Sequence, residues 1–210
     1  MVVSMTQPTA FQQDTIIHTP RPIRWVVFDC ETRRLGTEFG GLDKIREQGN
    51  WRDLGLTCMA VWDSHTQYCS VFDGFTVSEG VRMLENADCA VSFNGCGFDI
   101  PLLSDLLGRH IALNYHFDIL KKIKESGCQW KGNKLGEVCN RTIGLDKSGS
   151  GDHAPSLARQ GRMGELFNYC LQDVYITKQL AQHIRENGWV IGPNLETVEL
   201  EVPAWFRSVS

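Results

Sequence analysis

The sequence predicts an α/β domain whose central sheet starts antiparallel and ends parallel, with helices around it. Three observations predict it. An apolar run, Val26-Val27-Phe28, leads directly into Asp29-Cys30-Glu31-Thr32 as one buried strand. Two strand-like runs, Leu56–Asp63 and Gln67–Phe72, meet around Ser64-His65, the spacing of a hairpin. Beyond residue 77, short apolar runs alternate with stretches of helical period, the order of parallel strands joined by helices.

Taken in order, residues 1–21 are rich in Thr, Gln and Pro without a sustained period and predict a flexible N-terminal arm ending at Pro20-Arg21-Pro22. Strand one is expected over about 24–30. The connection over about 32–53 holds Gly36, Gly40, Gly41 and Gly49 with Phe39 and Trp51; a connection that long without clear structure is often functional. After the hairpin, Val77, Val81 and Leu84 space a helix over 77–86. Cys89–Phe93 reads as a short parallel-type strand buried on both faces. Asn94-Gly95-Cys96-Gly97 ends it, and a helix opens near Asp99-Ile100-Pro101 and stops at Gly108. Asn114–Leu120 reads as a strand and Asn133–Ile143 as a helix closed by Gly144. Residues 144–155 read as a flexible loop. The longest helical pattern, 156–187, contains Gly161 and Gly164, which break it in two, and Gly188 ends it. Alternation at Val198, Leu200 and Val202 predicts a last edge strand in a tail over 191–210. The folded domain is thus expected over 22–190.

Composition narrows the class. A chain of 210 residues suits a single domain. No apolar run has the length of a membrane span and no secretory pattern opens the chain, so no membrane partner is expected. The eight cysteines show no Cys-x-x-Cys and no zinc-type spacing, and several lie inside apolar stretches, where a free thiol acts as a small hydrophobe. The expectation is a reduced, cytoplasmic protein. A net charge of −4 argues against nonspecific coating of nucleic acid but leaves room for an enzyme that grips a few nucleotides. The Lys-rich stretch 121–147 reads equally as a solvated helical face or as a rim facing phosphates.

The chemistry lies in carboxylates. On a strand, residues i and i+2 share a face, so Asp29 and Glu31 project together from a strand end. Two like charges so close call for a cation between them, and oxygen ligands favour Mg²⁺ or Mn²⁺. Alone, the pair is more often a solvated strand end. Asp99, alone, is more often a helix cap. Tyr169 and Asp173 share a helix face at i and i+4, which alone is more often an amphipathic boundary. Together, in this order and on these elements, the three features converge.

The combined pattern resembles the DEDD 3′–5′ exonucleases of the ribonuclease H-like superfamily. Tyr169-x-x-x-Asp173 is similar to the tyrosine (DEDDy) subclass; the histidine subclass would want His where Asn168 stands. The resemblance spans roughly 24–190, includes Phe28-Asp29-x-Glu31-Thr32 and Lys147-Ser148-Gly149, and is greatest toward predicted exonucleases related to the proofreading domain of family B DNA polymerases. It implies a ribonuclease H-like fold and hydrolysis of terminal phosphodiesters of single-stranded nucleic acid with two divalent metal ions. Asp29, Glu31, Asp99 and Asp173 would hold the ions. Tyr169 would orient the water, since a phenol's ordinary pKa of about 10 makes it a poor base. Thr32 would face the terminal nucleotide by the same analogy. Asn94 and Phe98 are candidates to line its pocket, although Phe98 reads more readily as core. Arg33, Arg34 and Lys147 are candidates for phosphates. His153, in the loop before the last helix, is a candidate to lie near the site, although a lone loop histidine is more often just solvated. The long 32–53 connection departs from the shorter turn of many proofreading exonucleases.

The expected partners are single-stranded DNA or RNA 3′ ends, DNA slightly favoured, with a helicase, polymerase or other replication or repair protein as a further partner. An RNA-trimming or oligonucleotide-clearing nuclease is the first alternative. A non-catalytic nucleic-acid-binding module of a repair or replication assembly is the second, and the low positive charge favours it. A dinucleotide-binding dehydrogenase is set aside, because strand one is not followed by Gly-x-Gly-x-x-Gly.

Overall fold

The computed structural model describes residues 22–128, 131–146 and 153–208. The expected arm over 1–21 and Lys147 with its Ser-Gly neighbours lie outside them. Strand β1 (Trp25–Thr32) is central: it opens on the apolar run Trp25–Phe28, and every residue but Asp29 is buried, as suits a strand covered on both faces. β2 (Leu56–Asp63) pairs with it antiparallel, and β3 (Cys69–Phe72) pairs with β2 through the expected hairpin. β4 (Cys89–Ser92) runs parallel to β1, and β5 (His116–Asp118) parallel to β4. The sheet order is therefore β3-β2-β1-β4-β5, antiparallel on one side of β1 and parallel on the other.

The strand period sorts β1 between two cores. Trp25 and Val27 join a cluster under the helices α5 (Leu135–Ile143), α6 (His153–Arg159) and α7 (Met163–Asn187). Val26, Phe28 and Cys30 join a second cluster on the opposite face, against α2 (Val77–Glu85) and α3 (Asp99–Leu107). Asp29 and Glu31 continue the first series, so the alternation that buries Val27 also aims both carboxylates at α7. Phe28 is 1% exposed, and its truncation to Ala would cost about 3–5 kcal/mol.

Four stretches differ from expectation. Residues 153–155, expected at the end of a flexible loop, already belong to helix α6, where Ala154 and Pro155 are buried. The 32–53 connection is not structureless: it forms a 3₁₀ turn (Gly36–Phe39), helix α1 (Leu42–Gln48) and a second 3₁₀ turn (Trp51–Leu54). Each piece is too short to show a period, and Ile45, Trp51 and Leu54 anchor the segment in the second core. The expected strand 114–120 ends at Asp118, whose side chain caps a helix not expected there, α4 (Ile119–Glu125). The 191–210 tail does contain a strand, β7 (Thr197–Glu199). It pairs antiparallel with β6 (Trp189–Ile191) in a separate ribbon rather than with the main sheet. The chain after β7 then packs inward: Phe206 is fully buried, and the Arg185 guanidinium lies 4.8 Å from the Trp25 ring and 5.0 Å from that of Phe206.

None of the eight cysteines forms a disulfide. Among the described residues, no helix is long and apolar enough to cross a membrane.

Candidate active site

The site lies where β1 stops. Its register against β2 shifts between Glu31 and Thr32: Glu31 faces Cys58, but Thr32 faces Leu56, leaving Thr57 over as a bulge. Pairing ends there, and the Arg33 N–H donates to the Gly55 carbonyl at 2.7 Å. The chain turns out of the sheet immediately beyond the two carboxylates.

α7 supplies the facing wall. Tyr169 and Asp173 are both buried, one turn apart, with Cys170 between them. One oxygen of Asp29, one of Glu31 and the sulfur of Cys170 lie within 4.8 Å of one another. The Cys170 thiol is held well above its ordinary pKa by a hydrogen bond with Cys58, by burial and by the Asp29 charge. It stays protonated and sits as a donor 3.6 Å from the Asp29 carbonyl oxygen and 4.0 Å from Oδ2.

The third wall is the turn between β4 and α3. Asn94 adopts φ +71°, a left-handed conformation that Asn tolerates better than most residues. Gly95 must be glycine because a Cβ there would collide with the Ser92 side chain and press on the Phe28 ring. The turn delivers Asp99 to the first position of α3, where it is 3% exposed. Burial pushes the Asp99 carboxyl up to about 7, against the opposing pull of hydrogen bonds from the Cys30 thiol and backbone. Its Oδ1 is buried without a hydrogen-bond partner.

These walls enclose a cleft of about 390 Å³ lined by Asp29, Glu31, Asp99, Tyr169 and Asp173. Of the other sequence candidates, Thr32, Asn94 and Phe98 also line it. The Thr32 hydroxyl donates to the Arg34 carbonyl at 2.9 Å. Phe98 is half-buried and serves both roles, with one side in the cleft and its ring edge-on to Trp51 at 6.0 Å. Arg33 is exposed and does not line the cleft; its neighbour Arg34 does. The bulge ends strand alternation, so the i+2 argument stops applying beyond Thr32. His153 is exposed beside the site, its ring 5.9 Å from that of Tyr169. No described residue of the Lys-rich 121–147 stretch lines the cleft, and Lys121 and Lys122 pair with Glu125 on α4.

Sequence reasoning missed two contributions. Residues from Leu35 to Leu42 form an outer wall, signalled only by the length and glycine content of their segment. Cys170 enters the carboxylate group, signalled only by its place between Tyr169 and Asp173.

Divalent cations fit this cleft. Its carboxylates are hard oxygen donors, three of them at most 8% exposed, and Asp99 Oδ1 has a lone pair with nothing to satisfy it. Burying so many carboxylates together is costly unless a cation joins them.

The sheet order and the placement of the acids on β1, α3 and α7 define a ribonuclease H-like domain. The chain belongs to the RNase_H superfamily: the RNase_H_2 family model matches residues 57–185, a span that includes Asp99, Tyr169 and Asp173 and begins after β1. Among solved structures it is similar to the family B DNA polymerase from the hyperthermophilic archaeon Pyrobaculum calidifontis, with 18% identity and a TM-score of 0.56. The likeness covers 79% of this chain and 25% of the polymerase, so this chain corresponds in length to a fraction of that enzyme. No curated protein matches the sequence. Family membership supports a nuclease-type function and the use of divalent metal.

Proposed function

We propose that the chain is a metal-dependent 3′–5′ exonuclease acting on single-stranded nucleic acid, DNA in preference to RNA. One observation carries the reading: Asp29, Glu31, Asp99, Tyr169 and Asp173, drawn from three separate elements, line one cleft open to solvent. In this reading Asp29, Glu31, Asp99 and Asp173 hold two Mg²⁺ or Mn²⁺ ions. Such ions supply charge neutralisation at the scissile phosphate and acidify the attacking water.

The chain's own groups do the rest. One oxygen of Asp29 lies within 4.8 Å of one oxygen of Glu31, so the two strand carboxylates would hold an ion together. The Tyr169 hydroxyl orients the attacking water by hydrogen bonding. Phe98 offers a partly exposed ring on which a terminal base stacks, and Arg34 offers a cation for its phosphate. Residues between Leu35 and Leu42 add an outer wall to the cleft, and an unpaired strand end is the substrate we assign to it.

The test is degradation of 5′-labelled single-stranded DNA and of its RNA counterpart, with Mg²⁺, Mn²⁺ or chelator, beside Asp29→Ala. A metal-dependent ladder shortening from the 3′ end, absent in the variant, is the expected result. Binding without cleavage of either strand would sink the enzyme reading and favour the binding module.

A further inference from the structure

On the far side of the turn that delivers Asp99 lies a second group of ligand atoms that the proposed reaction does not use. Cys96, on the turn, faces His116 and Asp118, on β5. The Cys96 sulfur, a ring nitrogen of His116 and a carboxylate oxygen of Asp118 all lie within 4.8 Å of one another. We propose that these three residues form a binding site for a thiophilic divalent cation of the zinc class, distinct from the carboxylate cleft.

The geometry is close to that of a bound ion. Ligands at Zn–S of about 2.3 Å and Zn–N of about 2.0–2.1 Å in a tetrahedral site stand roughly 3.5 Å apart. The Cys96 sulfur and His116 Nδ1 are 3.3 Å apart. The second ring nitrogen, Nε2, lies 2.8 Å from the Ser92 hydroxyl. With Nε2–H donating to that hydroxyl, the Nδ1 lone pair faces Cys96, the outer partner that a metal-bound histidine needs to fix its tautomer.

Asp118 is positioned as firmly. Its Oδ1 accepts the N–H groups of Asn94 at 2.9 Å and Lys121 at 3.2 Å, and its Oδ2 accepts the N–H of Cys96 at 2.8 Å. The carboxylate also takes a hydrogen bond from the Cys96 thiol, and loss of that proton on binding frees the lone pair for an ion. Cys96 is an exposed residue, so the fourth coordination position opens to solvent.

The charges balance. In the free protein, burial of the sulfur against its neighbours and the Asp118 charge hold the Cys96 thiol up at about 12. Of these two, the Asp118 charge is the one that favours a dication. On binding, the thiol proton leaves to solvent and the sulfur forms the metal bond, so thiolate and carboxylate together offset the two positive charges. Thiolate and imidazole select zinc or cobalt, whereas the oxygen donors of the cleft select Mg²⁺ or Mn²⁺. The two sites therefore sort metals by ligand softness. Cys96 is three residues from Asp99, so an ion here ties the turn to β5 from behind.

The experiment is titration of the full chain with Co²⁺, reading the sulfur-to-cobalt charge-transfer band in the near ultraviolet. One equivalent is expected to produce the band and to be displaced by Zn²⁺. The band should vanish in Cys96→Ser and persist in Cys69→Ser, Cys170→Ala and Asp29→Ala. Outer partners alone are worth about 10–100-fold in affinity, so loss of the thiolate should lower zinc affinity on the order of 100-fold or more. Zinc should raise the melting temperature of the wild type and not of Cys96→Ser. A band that survives Cys96→Ser, one that disappears instead in Cys170→Ala, or the absence of any band would each overturn the proposal. None of these readouts depends on nuclease activity.

Discussion

The carboxylate of Asp118 accepts the backbone N–H of Cys96 at 2.8 Å, fastening the end of β5 to the turn that carries Asp99. This acid works on the backbone and is absent from the cleft lining. Asp118→Ala leaves the N–H groups of Asn94, Cys96 and Lys121 without their acceptor. A loss of about 1–3 kcal/mol is expected, read as a lower urea midpoint. Nuclease rate should fall too, because the turn no longer holds Asp99. Wild-type stability in this variant would refute the fastening role.

Substitutions of the cleft acids should separate chemistry from folding. Asp29→Ala and Asp173→Asn are expected to abolish turnover while circular dichroism stays that of the wild type. Tyr169→Phe keeps the ring and loses only the hydroxyl, so its rate should drop by about 100-fold without vanishing. Single-turnover cleavage with Mg²⁺ measures all three, and full activity in Asp29→Ala would remove the assignment.

Arg34 and Arg33 offer an internal comparison, since they are neighbours and only Arg34 lines the cleft. Arg34→Ala should weaken single-stranded DNA binding across sequences and reduce the salt dependence of log K by about 0.7, the value of one phosphate contact. Arg33→Ala should do neither. Fluorescence anisotropy over a salt series distinguishes them, and equal effects would mean that both act only as diffuse surface charge.

The Arg24–Asp63 pair gives a pH dependence remote from the cleft. The Asp63 carboxylate accepts from the Arg24 guanidinium at 2.7 Å while Asp63 is 1% exposed. Burial pushes the carboxyl up, but the Arg24 hydrogen bonds and charge and the His65 N–H outweigh it, and its pKa falls below the ordinary value. A depressed folded-state pKa means stabilisation that is full above the unfolded value of about 3.9 and is lost as pH falls through the lower folded one. Arg24→Met leaves a buried carboxylate without its cation, at a cost of about 3–5 kcal/mol near neutrality. Its acid unfolding midpoint, followed by circular dichroism, should therefore move to higher pH.

The parts of the fold and site that could be read in advance are those written in short periods. Asp29 and Glu31 follow from the alternation of β1, Tyr169 and Asp173 from one helical turn, and the stop at Gly188 from glycine's ease in the left-handed region, where the structure finds it at φ +84°. Helix α4 escaped because its cap, Asp118, is also the last residue of a strand, and its Lys-rich face carries only Ile119 and Ile123 into the core. The 36–54 pieces escaped because none spans two full helical periods. Cys96 and His116 are 20 residues apart, with no local spacing to mark them. They meet because β4 and β5 run parallel and in register, Ser92 opposite Asp118.

The two long walls of the cleft are built to different depths. Asp173 lies inside a 25-residue helix whose inner face, from Leu166 to Ile184, is buried. The opposite wall rests on two 3₁₀ turns and the seven residues of α1, with Ile45, Trp51 and Leu54 as its buried anchors. Amide hydrogens around Asp173 should exchange only when the whole domain opens, and those of 36–54 through fluctuations that leave the sheet intact. A strand end then enters past a wall that breathes and meets carboxylates set in one that does not.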